Sequence, residues 1–240
     1  MRVYLLVAFG AVAAVLGMGA PAQAAKAVQF DLADVFNEDV IVNGTTLNNL
    51  DEAQTSVDIS ETSLITQGAA RVLENCTDDP DGLPNNGRFA ANRDHPLVDL
   101  AYDNKKDGKN ARRSPSADSY RISVPQRRYR AIHVFATSGN GNATMRVRLR
   151  YRGASSVKEF TVLDWFDPEP EGPYALIDDR DRVYPDASTC HDDDAAAIWG
   201  FKVRAKKTRP LRAVKIIRPG GSDAGVLNVF GMTGLRARSR

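Results

Sequence analysis

Cysteine is nearly absent: the 240 residues hold two, Cys76 and Cys190. That excludes a disulfide-dense small scaffold, and with no second Cys or His at ligand spacing from either, a zinc site has nothing to build on. Histidine is almost as scarce, at His95, His133 and His191, with no H-E-x-x-H or related metal pattern. His133 sits between Ile132 and Val134 and reads as a packed or sheet-face residue. No G-x-S-x-G elbow occurs, so an α/β-hydrolase has no support. No stretch sustains a helical period, and no repeat or low-complexity segment is visible. Charge of one sign is also missing: the net of +2 leaves no global field to attract nucleic acid or an anionic membrane.

The one long apolar run comes at the start. MRVYLLVAFGAVAAVLGMGAPAQAAKA has Arg2 as a short positive region, an apolar stretch over residues 4–16, and Ala22-Gln23-Ala24 as an A-x-A cleavage signal. The stretch is shorter than the ~20 residues a spanning helix needs. Residues 1–24 therefore read as a signal peptide, an uncleaved anchor being the alternative, and the protein as secreted or extracytoplasmic. In an oxidising compartment the two cysteines point to one disulfide, Cys76 to Cys190. Closing so long a loop stabilises by ~4–5 kcal/mol on the chain-entropy model. Two buried free thiols are the other possibility.

What the sequence has instead is short extended runs. Residues 120–166 hold four candidate strands, punctuated by Pro125, a turn at residues 139–142 and Gly153. In the third, Val147, Leu149 and Tyr151 alternate with Arg146, Arg148, Arg150 and Arg152. A period of two places the first set on a buried face and the arginines on a wet one. In the hairpin that follows, Glu159 and Thr161 share the arginine face, while Phe160 and Val162 turn to the core. Three more strands are expected at residues 198–204, 213–217 and 226–233, with Trp199 packed in the first. Towards the N-terminus, 28–42 reads as an edge strand and turn, 43–66 as short strands, and 69–74 as a strand or a brief helical turn. Residues 75–94, 103–110 and 164–197 read as loops. Short strands at ~8–12-residue intervals between Gly/Pro turns predict an all-β sandwich, one domain over residues 25–240.

The segments LPNNGRF, YDNKKDGKNARR, VPQRRYRAIHVFATSGNGNATMRVRLRYRG, VLDWF and LNVFGMTGL occur in that order. This pattern, over residues 82–235, resembles the galactose-binding-like jelly rolls found as extracellular modules beside or within glycan-active proteins. The resemblance implies a jelly-roll β-sandwich and a glycan or cell-surface polysaccharide as partner. Arg152-Gly153-Ala154 stands where such modules often carry D-G, and Arg112-Arg113 replaces the usual apolar residue. No binding residue is therefore carried over.

Candidate ligand groups come from the residues themselves. Arg146, Arg148 and Arg150 would stand ~6–7 Å apart on one strand face. Such a row suits bidentate contacts to a sulfated or uronic-acid polymer; the alternative is a solvated face paired with acids. Trp165 offers a flat platform for a sugar ring if exposed, with Asp167 nearby to bond hydroxyls; otherwise it plugs the end of the sandwich. Tyr102 borders the 103–110 turn, where Asp103, Asp107 and Asn110 supply hard oxygen ligands of the kind calcium takes. A solvated turn is the rival. The function these features favour is a non-catalytic carbohydrate-binding or cell-surface adhesion protein. Alternatives are a glycan-active hydrolase using carboxylates of the 164–194 loop, or a structural envelope protein meeting only a protein partner.

Overall fold

The computed structural model describes residues 26–59, 62–102, 108–166, 173–221 and 223–237. The leader, Asp103, Asp107 and Asp167 lie outside these residues. The first half of the described chain contributes short strands: β1 (Ala27–Gln29), β2 (Ile41–Val42), β3 (Ser63–Ile65), β4 (Arg88–Phe89), β5 (Val98–Asp99) and β6 (Arg112–Ser114). One helical turn, α1 (Gln67–Ala70), lies among them, begun by the Thr66 hydroxyl accepting from Ala69 N–H. The second half contributes long strands: β7 (Asp118–Ser123), β8 (Tyr129–Gly139), β9 (Ala143–Tyr151) and β10 (Ala154–Val162). They are followed by β11 (Tyr174–Val183), β12 (Cys190–Arg204), β13 (Leu211–Arg218) and β14 (Val226–Arg236).

The turns follow from local chemistry. Asn140 and Gly141 both take positive φ between β8 and β9, and Gly153 takes φ +65° between β9 and β10. Those are conformations that Asn and Gly reach at least cost. The last two strands of this run then pair with Tyr151 opposite Ala154 and Ala143 opposite Val162.

Two sheets face each other. One has the order β10-β9-β13-β7; the other runs β14-β8-β12-β11-β3-β2, with β1 and β6 both paired to β14. Taking β6 to β10 and β12 to β14, the two four-strand orders become β6-β14-β8-β12 and β7-β13-β9-β10. That interleaving, all antiparallel, is a jelly roll. Its core fills the space between the sheets: Met145, Val147 and Leu149 from β9, Val214 and Ile216 from β13, Ile132 and Val134 from β8, and Trp199, Phe201 and Val203 from β12.

The larger sheet is covered on its other face as well. Val40, Ile41, Leu83, Phe89, Val98 and Leu100 from the first half pack on Phe135, Ile198 and Phe230. Sheets buried on both sides lose the in/out alternation, which is why β8 is buried at all but one position. The Cys76–Cys190 disulfide is formed, with Cα atoms 5.9 Å apart, and ties this covering layer to the start of β12.

Residues 164–197 are not one long loop. They contain β11 and the beginning of β12, whose pairing slips register three times. Each bulge inserts a residue and resets the alternation, so no period of two survives in the sequence. No helix among the described residues is long and apolar enough to cross a membrane.

Candidate functional site

Among the described residues, a concentration of unneutralised charge lies on the outer face of β10-β9-β13-β7. Register places Arg148 opposite Lys215, and Lys215 opposite Arg121, so one rung across three strands carries three cations. The rung above has Arg150 beside Ala213 and Ser123; the rung below has Arg146 beside Ile217 and Ser119. Neighbouring strands lie ~4.8 Å apart and same-face residues ~6.8 Å apart along a strand. The five cations therefore share a patch the size of a few sugar rings. One acid from β10 belongs to this face: Glu159, whose Oε2 accepts from Arg146 Nε at 2.5 Å. Among the described residues no acid pairs with Arg121, Arg148, Arg150 or Lys215. Like charges directly opposite one another destabilise a sheet, so the Arg148–Lys215–Arg121 rung has no structural reward of its own. Of the acids expected to face this solvated row from β10, Glu159 meets Arg146, and among the described residues Arg148 and Arg150 have no such partner.

A groove of about 570 Å³ runs along the open edge of β10, lined among others by Arg93, Asp94, Lys158, Phe160, Tyr174 and Lys202. It continues as a space of about 500 Å³ between Ser156, Val157 and Lys158 on β10 and Lys202, Val203 and Arg204 on β12. Tyr174 forms one wall because its ring lies flat over Gly200, where a Cβ would come within 2.1 Å of it. Its hydroxyl shares a 2.6 Å hydrogen bond with His133 Nδ1, and His95 stacks on its ring at 5.8 Å. Burial, then the charges of Lys202, His95 and Arg130, pull His133 down to about 4. The two carboxylates of the groove each meet an arginine: Asp94 meets Arg93 at 3.1 Å, and Glu159 meets Arg146.

Trp165 corrects one expectation. It is fully buried, packed with Val40, Phe135, Leu176 and Ile198, and offers no ring face to a ligand. Its backbone N–H donates to Ser138 O at 2.8 Å. Asp164, just before it, accepts from the N–H groups of Gly141 and Phe166. These bonds turn the indole inward as a plug, and the exposed neighbour is Phe166, with the Arg182 guanidinium 4.8 Å from its ring centre. Tyr102 is half-buried against the covering layer, its hydroxyl donates to Pro84 O, and burial pushes its pKa up.

Asn110 does not fit a calcium ligand of a solvated turn. It is 1% exposed, its Oδ1 accepts from Val40 N–H at 3.0 Å, and its amide donates to Asp39 Oδ1. The side chain braces the covering layer from within and faces no solvent. Cys76 and Cys190 lie beside the buried Asp181, but their sulfurs are bonded to each other. Lys215 and Arg121 are the functional candidates that sequence reasoning missed. Nothing in the chain places them beside Arg148, because strand neighbours 67 residues apart (Arg148 and Lys215) and 94 apart (Arg121 and Lys215) meet only through the sheet order.

No family model matches the chain, and no curated protein does. Among solved structures, that of TmCBM61 in complex with β-1,4-galactotriose is similar over 53% of this chain and 69% of that chain, at 11% identity and a TM-score of 0.27. The jelly-roll assignment rests on the strand order itself, and no ligand is transferred from that structure.

Proposed function

We propose that the protein is exported and binds an acidic polysaccharide, sulfated or uronic, on the outer face of its four-stranded sheet. The carrying observation is the rung Arg148–Lys215–Arg121, flanked by Arg150 and Arg146, with one acid for five cations. Guanidinium groups match carboxylate and sulfate oxygens two at a time, and an extended polymer presents such groups at sugar-ring intervals. The signal-peptide-like start and the disulfide support an oxidising compartment outside the cytoplasm, where a polysaccharide can be met.

Binding without turnover is part of this reading. A glycosidase uses a pair of carboxyls free to act as acid and base, and the two carboxylates lining the groove, Asp94 and Glu159, are each engaged by an arginine. The test is a glycan array of the mature protein at low and moderate salt, beside an Arg148→Ala, Arg150→Ala variant. Salt-sensitive binding to acidic polymers, lost in the variant, is the expected result. Salt-resistant binding to neutral sugars, or release of new reducing ends, would overturn it.

A further inference from the structure

The edge of β10 is open. Its nine residues are hydrogen-bonded to β9 on one side, and among the described residues no strand pairs with the other. Such an edge is a template for another strand, and folded proteins usually shorten, twist or charge it. Here it is long and runs without a register break, and its guard is a charge: Lys158, at its midpoint. Opposite lies a second open edge. β11 meets β12 from Gly200 back towards Cys190, and among the described residues no strand pairs with Phe201–Arg204 on that side. Three consecutive residues of each strand line the space between them. Since side chains of consecutive residues alternate in direction, it is the backbone edges themselves that border this groove.

We propose that this edge accepts an extended acidic peptide segment, which adds to β10 as a strand. Main-chain hydrogen bonds to β10 would hold it, as in other strand additions, and Lys158, Lys202 and Arg204 select its charge. Val157, half exposed on the outer face, supplies an apolar neighbour for alternate side chains of the incoming strand. A second copy of this chain is disfavoured as the occupant. Antiparallel β10–β10 pairing in register sets Lys158 against Lys158, with Lys202 and Arg204 of both copies close by. Like charges opposed in a sheet repel. The guard is thus selective by sign: it turns away its own copy and admits a strand with an acid opposite Lys158.

The experiment uses the full mature protein and three synthetic nine-residue peptides: valine alternating with glutamate, valine alternating with lysine, and the glutamate peptide N-methylated at alternate residues. Binding is followed by titration, and strand pairing by amide hydrogen exchange of residues 154–162. The glutamate peptide is expected to bind and slow exchange along β10; the lysine and N-methylated peptides are expected to do neither. In a Lys158→Glu, Lys202→Glu variant the charge preference should invert, with the glutamate peptide roughly tenfold weaker. The Arg148→Ala, Arg150→Ala variant should bind the peptide unchanged, which separates this site from the polysaccharide face. The proposal is overturned if the glutamate peptide leaves β10 exchange unaltered, or if its N-methylated form binds equally well. Edge amides already protected in the free protein, or dimerisation through β10 in sedimentation, would overturn it too.

Discussion

Trp165 shows how much of a residue's role is set by its neighbours. An indole next to a polar turn is a sugar platform or a core plug by the same sequence, and the bonds of Ser138 and Asp164 turn it inward. Trp165→Ala should therefore cost ~3–5 kcal/mol of stability, as large-to-small core changes do. Polysaccharide affinity of the molecules that remain folded should be unchanged, read by urea denaturation beside binding. Asn110 behaves alike: Asn110→Ala leaves Val40 N–H without its acceptor, and a loss of ~1–3 kcal/mol is expected in the same denaturation assay.

At the scale of the element, β9 is the strand most legible from sequence. Its alternation of Val147, Leu149 and Tyr151 with arginines survives because one face packs on the core and the other meets water. Its burden is the like-charged rung it forms with β13 and β7. Arg148→Thr removes that repulsion and adds a β-branched residue, so stability should rise by ~0.2–1 kcal/mol. Polyanion affinity should fall at the same time. A variant that becomes both less stable and no weaker in binding would show that Arg148 serves packing. β11 and β12 are the opposite case: bulges break their period, and residues 164–197 look like loop until the sheet is assembled.

For the whole molecule, the disulfide joins the covering layer to the jelly roll, and His133 of β8 bonds Tyr174 of β11. Reducing Cys76–Cys190 should lower stability by ~4 kcal/mol, since the bond closes a loop spanning 114 positions; denaturation with and without reductant measures it. His133 adds a pH dependence. Folded, it resists protonation down to about 4, whereas in the unfolded chain it takes a proton below about 6.5. Between these values the unfolded state binds more protons, so stability is full above pH 6.5 and declines as pH falls towards 4. His133→Gln should flatten that part of the stability–pH curve relative to the parent protein.

The strands of residues 120–162 and of the C-terminal tail, the turns between them and the disulfide partners were decided within the chain. Alternation, Gly/Pro punctuation and a lone pair of cysteines are local or countable, and they need no knowledge of what packs against what. The candidate site was legible only as a single row, Arg146, Arg148 and Arg150. Its width, through Lys215 and Arg121, and its lack of facing acids appear once β13 and β7 are laid beside β9. The open edge of β10 likewise exists only relative to the strands that do not pair with it. Side-chain direction is a property of a strand; which strands are neighbours is decided by burying all the apolar faces at once, and that is a property of the folded whole.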